Sequence, residues 1–185
     1  MLRGEQTQDQ ILISGEIQVQ AGDMDVNLIL NERRQLETHS KLNFESLIGK
    51  ALPGITDICA VVEQIDTANK QILICFFDIQ QRPSRNCVTQ LAKQAEWLEE
   101  KGVTVIAVHT SNVDENTLNE WVEKNNIPFP VGMIQDDEEK TRFNWGVRSL
   151  PWLILTDRNR VVTTEGFGLD ELDQKIKQAA FKNDI

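Results

Sequence analysis

From residue 71 onward the apolar positions fall in short blocks of two alternating kinds. Residues 71–77 (QILICFF) and 103–108 (VTVIAV) are nearly continuous apolar runs, the pattern of strands buried on both faces. Between them Val88, Leu91, Ala92, Ala95 and Leu98 recur at 3.6-residue spacing. That spacing predicts one helix over 84–100, ended by Gly102. A second helix is expected from Asp114 to about residue 125, with Leu118, Trp121 and Val122 inward and Asn125, Asn126 and Pro128 stopping it. A brief strand follows at 130–134, then a short helix at 137–144 with acidic residues in its first turn. Residues 152–156 and 160–164 read as a strand pair around the polar turn Asp157-Arg158-Asn159, and Leu169 to Phe181 as a closing amphipathic helix. The order βαβα followed by ββα predicts an α/β fold, a mixed central sheet with helices on both faces.

The first part of the chain follows a different pattern. Residues 11–19 and 26–30 alternate apolar and polar positions around Gly22 and Asp23, which predicts two strands, and 31–43 are polar like a linker. This places a boundary near residue 44: an N-terminal β extension and linker over 1–43, and the α/β domain over 44–185. Two strands are too few to fold alone, so the extension is expected to pack on the main domain or complete a β-domain elsewhere.

Composition narrows the function classes. The chain has 185 residues, 40% of them apolar, enough for a core of this size. The net charge of −10 argues against nucleic acid and anionic membrane as partners, since both need a basic surface. No apolar run is long enough to span a bilayer, so no membrane insertion is expected. The N-terminus lacks the apolar stretch of a secretory signal, which leaves the compartment open between the cytosol and a longer extracytoplasmic parent. The three cysteines, Cys59, Cys75 and Cys87, form no CxxC, and with His39 and His109 no zinc spacing. No metal or other cofactor is expected. The acidic run Asp136-Asp137-Glu138-Glu139 lacks the spaced oxygens of a calcium loop and reads as helix N-terminal charge.

Several anchors in order carry a resemblance. They are Ile48-Gly49-Lys50-Ala51-Leu52-Pro53-Gly54, the strand Ile72 to Phe77, Gly146-Val147-Arg148-Ser149-Leu150-Pro151, and Asp157 at the next turn. Over about residues 48–181 the chain resembles the thioredoxin-like redoxins of the TlpA/ResA and AhpC-TSA group. The resemblance implies a thioredoxin-like fold, a cis peptide before Pro151, and an active site at the start of the helix after residues 72–77. That family reads F-W-A-x-W-C-x-P-C-R there, and this chain reads Phe76-Phe77-Asp78-Ile79-Gln80-Gln81-Arg82-Pro83-Ser84-Arg85. Aligned so, Gln81 falls on the nucleophilic cysteine and Ser84 on the resolving one. Neither supplies a thiolate, so dithiol exchange by that mechanism is not expected.

Two readings remain. In one, the domain is a non-catalytic interaction module whose groove, formed by Gln81, Arg82, Pro83, Ser84, Leu150, Pro151 and Trp152, takes a peptide or protein partner. In the other it is a one-cysteine redoxin, a peroxidase or thiol oxidoreductase acting through Cys87. Cys87 stands three residues after Ser84, with Arg148 a candidate partner by position. That reading requires a partly exposed Cys87 of lowered pKa. Otherwise Cys87, in line with Leu91 and Leu98, is a small buried hydrophobe, and Cys75 is core. His109 lies at the C-terminal edge of the sheet, where open α/β sheets bind ligands. His39 is expected to be solvated, Trp152 either a groove contact or core, and Trp97, Trp121 and Trp145 packing residues.

Overall fold

The structure is a computed structural model that describes residues 44–54, 67–134 and 137–181. All of these belong to the second of two units of the chain, Asn43–Ile185. The strands expected at 11–19 and 26–30, the linker, His39 and Cys59 lie outside the described residues.

Five strands form one sheet: β1 (Gln71–Phe77), β2 (Val103–His109), β3 (Val131–Met133), β4 (Trp152–Thr156) and β5 (Val162–Glu165). Their order is β3-β2-β1-β4-β5. The first three are parallel, with β1 pairing β2 from Gln71–Val103 to Phe77–His109, whereas β4 pairs antiparallel with both β1 and β5. The sheet is therefore mixed, as expected. Among the described residues no helix is long and apolar enough to cross a membrane.

Alternation along β1 divides the core in two. Leu73, Cys75 and Phe77 face Val88, Leu91, Leu98, Leu118, Leu172 and Ile176 on one side. Those residues come from α1 (Arg82–Lys93), α2 (Ala95–Glu100), α3 (Glu115–Lys124) and α5 (Leu172–Phe181). Ile72, Ile74 and Phe76 face Leu47, Trp145 and Val147 on the other side, where α4 (Glu138–Asn144) ends. Every residue of β1 is buried, which is why its sequence reads as a continuous apolar run.

Three boundaries differ from the periodicity. The helix expected over 84–100 begins earlier, at Arg82, and is interrupted at Gln94 (φ −106°, ψ 8°). There the Gln94 N–H bonds to the Leu91 carbonyl at 3.0 Å, a tightened turn that separates α1 from α2. Seven residues after Leu91, Leu98 still reaches the buried face, so the apolar spacing hides the break. The closing helix opens with a 3-10 turn, Leu169–Glu171. The last strand starts at Val162, after Val161 bridges to Ala51.

That bridge belongs to a longer contact. Gly49 N–H bonds to the Val162 carbonyl, Val162 N–H to Lys50 and Leu52 N–H to Arg160, so residues 49–52 cover the free edge of β5. Asp157 holds the β4–β5 turn, its carboxylate accepting from the Asn159 and Val161 N–H groups at 2.8 and 2.9 Å. Asp137 caps α4 through the Lys140 N–H at 3.1 Å, and Glu138 pairs with Arg142 one turn on. These contacts are the work of helix-terminal charge read from the acidic run.

Candidate functional site

The chain passes from β1 to α1 through Asp78–Gln81, and this loop is fixed from three sides. The Asp78 carboxylate accepts from the Gln80 N–H at 2.7 Å and from the Gln81 side-chain amide at 3.2 Å. His109, at the end of β2 and fully buried, accepts from the Ile79 N–H through Nε2 at 3.1 Å. Arg85, one turn into α1, returns to the Ile79 carbonyl at 2.6 Å. Gln81 is then the N-cap of α1, in extended conformation (φ −94°, ψ 123°), and Pro83 sits in the first turn, where its missing N–H costs nothing.

This geometry sets the protonation of the loop's ionisable groups. Burial raises the Asp78 carboxyl. The Gln80 N–H, the Ser111 and Gln81 side chains and the nearby His109 together outweigh it, and the net shift is downward. Burial lowers the His109 imidazole from its ordinary 6.5, against the upward pull of Asp78, whose Oδ1 is 3.6 Å from Nε2. Since Nε2 accepts a hydrogen bond, His109 is neutral with its proton on Nδ1. His109 therefore positions the loop from below, its ring edge-on to Phe77 at 5.3 Å.

Opposite the helix start lies the loop that ends in a cis Leu150–Pro151 peptide. Between the two is an open cavity of about 350 Å³. Helix α1 contributes Pro83, Asn86, Cys87 and Gln90 to it, the cis-proline loop contributes Pro151, and β4 contributes Leu153. The third wall is Phe167–Asp170, the loop into α5.

The structure thus brings together Pro83, Pro151 and Cys87 of the residues singled out in the sequence. Gln81, Arg82, Ser84, Leu150 and Trp152 do not line the cavity. Gln81 is turned to Asp78. Ser84 is fully buried, and its hydroxyl has no hydrogen-bond partner among the described residues. Trp152 sits on the core side of the two placements open to it. Adjacent strand residues point to opposite faces, so when Leu153 faces the cavity Trp152 packs on the other core with Leu150 and covers Gly166. Arg148 reaches the Phe44 carbonyl at 3.4 Å and not the cavity. Trp145 is buried against Phe76 at 5.5 Å, and Trp121 packs on Phe77 at 5.8 Å.

Cys87 lies at the floor of the cavity, 5% exposed, with its sulfur 3.9 Å from that of Cys75 on β1. Both are free thiols. The contact from Cys87 and complete burial push Cys75 well up. The Cys75 thiol, donating, draws Cys87 down in spite of its burial. Of the two conditions of the one-cysteine reading, the direction of the Cys87 shift agrees with the first, whereas its 5% exposure is short of the second.

Sequence reasoning missed the Phe167–Asp170 wall and the Asp78 bracket. The first carried a signal, an apolar Phe167 between two glycines right after a strand. The second carried a weaker one, an aspartate three residues before the helix cap.

With this geometry in view, comparisons with known proteins fall on one family. The family described as AhpC/TSA matches residues 52–165. A search of curated proteins returns no match. Among solved structures, the thioredoxin domain of a thiol-disulfide oxidoreductase from Bacteroides vulgatus is 20% identical with TM-score 0.60, over 72% of this chain and 98% of that one. A thiol:disulfide interchange protein from Bacteroides sp. is 20% identical with TM-score 0.58, over 71% and 88%. StoA from Bacillus subtilis is 12% identical with TM-score 0.53, over 68% and 98%. At these identities the likeness establishes the fold, which is thioredoxin-like.

Proposed function

The chain belongs to the AhpC/TSA family, and on that premise we propose that its thioredoxin-like unit binds an extended segment of a protein partner without covalent catalysis at the helix start. One observation carries this reading. The residue capping α1 is Gln81, tied to Asp78, and the next candidate, Ser84, is completely buried. A helix N-terminus lowers the pKa of a thiol placed there, but it does nothing comparable for an amide or a buried alcohol. The cavity beside it combines apolar walls (Pro83, Pro151, Leu153, Phe167) with the polar Asn86 and Gln90. A few polar groups among apolar ones is the composition that suits a side chain of a bound segment.

The one-cysteine redoxin is the second reading, favoured by the lowered pKa of Cys87 and its place at the cavity floor. A protein disulfide discriminates between them. With dithiothreitol as reductant and insulin as substrate, the binding module gives no rate above dithiothreitol alone. Turnover that disappears in Cys87→Ser overturns the first reading and supports the second.

A further inference from the structure

Two thiols are buried together beneath the cavity. Cys75 lies in the middle of β1 and Cys87 in the second turn of α1, each on the face turned to the other. Their sulfurs are 3.9 Å apart. A disulfide needs about 2.05 Å, so an approach of about 2 Å closes the bond, the scale of a side-chain rotation. Cys87 also borders the cavity that opens to solvent between Pro83 and Pro151.

We propose that Cys75 and Cys87 form a redox pair beneath the cavity, oxidised by disulfides of low molecular weight to a bridge joining β1 to α1. The cavity selects the oxidant by size. A small dialkyl disulfide enters a space of about 350 Å³, whereas a protein disulfide is held off by the residues that leave Cys87 5% exposed.

The step runs by ordinary exchange. The Cys87 thiolate attacks one sulfur of the dialkyl disulfide; that S–S bond breaks, the mixed disulfide forms and one alkyl thiolate leaves. Cys75 loses its proton to that leaving thiolate and attacks the Cys87 sulfur; the second alkyl thiolate leaves and the Cys75–Cys87 bond forms. The pair gives up two electrons and the dialkyl disulfide takes them; the first alkyl thiolate ends as a thiol with the Cys75 proton, the second with the proton that Cys87 had released to water. The order of attack follows from the site: Cys87 borders the cavity, and Cys75, fully buried on β1, lies behind it. This pair is distinct from the helix-start positions Gln81 and Ser84. Its oxidation is a change of state of the unit and does not require that the cavity bind a peptide.

The test uses the full chain, native and reduced, with 2-hydroxyethyl disulfide as the probe. The expected product has lost two hydrogens and carries no adduct. Peptide mapping links Cys75 to Cys87, dithiothreitol reverses the change, and Cys59→Ser behaves as the parent. In Cys75→Ala the reaction stops at the Cys87 adduct. The mapping on the parent chain stands even if that variant does not fold. A persistent adduct on Cys87 with Cys75 free, a bridge to Cys59, or no reaction until denaturant is added overturns the proposal.

Discussion

Gly166 gives a test that separates backbone strain from steric crowding at one residue. It follows β5 with φ +66°, a conformation costly for any residue with a Cβ. A Cβ built there lies 2.5, 2.8 and 2.9 Å from three atoms of the Trp152 six-membered ring. The indole has little room to retreat, since it packs on the Leu150 side of the core and its backbone is paired with Phe76 in the sheet. Gly166→Ala therefore carries both a left-handed backbone cost of about 1–2 kcal/mol and an overpacking cost of about 1–3 kcal/mol. Gly102 is the control. Its φ is +72°, yet a Cβ added there meets nothing within 4 Å, so Gly102→Ala carries the backbone cost alone. With a urea m-value of about 2 kcal/mol per M, the total for Gly166→Ala lowers the unfolding midpoint by roughly 1–2.5 M. The decisive quantity is the difference between the two variants, about 1–3 kcal/mol. Equal costs, within about 0.5 kcal/mol, mean that the Trp152 ring yields freely and is not pinned away from the cavity. A Trp152→Leu background should then shrink the difference if the ring is its cause, the coupling read from the double-mutant cycle.

Three further outcomes follow from the loop and the core. His109 has a folded pKa below its unfolded 6.5, so the unfolded chain binds more protons and stability rises with pH. The contribution is complete above 6.5 and is lost as pH falls below it, by at most about 1.4 kcal/mol per pH unit; in a His39→Gln background, urea midpoints across this range should lose that slope when His109 is changed to Gln. Asp78, lowered from 3.8, acts in a separate window, stabilising above that value and losing its contribution as pH falls through its folded pKa. Asp78→Ala frees the Gln80 N–H and the Gln81 amide and should cost about 1–3 kcal/mol; unchanged hydrogen exchange at Gln80 would show that the bracket does not hold the loop. Leu91→Ala, at a fully buried position, should cost about 2–5 kcal/mol in denaturant unfolding, whereas Ile48→Ala, 51% exposed, should stay within about 0.5 kcal/mol.

The fold was legible because its signals are local. The runs at 71–77 and 103–108 are buried on both faces, and a strand with no solvent face must be apolar throughout. Helix α3 announced both its ends, with Asp114 accepting from the Thr117 N–H and Asn126 adopting φ +50° at the stop. The break at Gln94 was not legible, because Leu91 and Leu98 keep the buried face whether the helix is continuous or split there. The position of Trp152 was legible in principle. Strand parity sets it opposite Leu153, and Leu153 belongs to the core that contains Cys87.

The pairing of Cys75 with Cys87 shows where such reading ends. Period two along β1 puts Cys75 on the face of Leu73 and Phe77, and the 3.6-residue period puts Cys87 in line with Leu91. Each period names a face, and the two faces meet because α1 returns over the strand that precedes it. Neither period fixes how far α1 is slid along β1, and a shift of one turn, about 5.4 Å, would separate the sulfurs. That offset is set by the four-residue loop Asp78–Gln81, which Asp78, His109 and Arg85 hold in one shape. Of these, His109 is supplied by β2, 30 residues away from the Ile79 N–H it accepts. The distance between the thiols thus depends on a non-local hydrogen bond. Loosening the loop by Asp78→Ala should accordingly slow formation of the Cys75–Cys87 bridge relative to the parent chain, while leaving the Cys87 adduct as the first product.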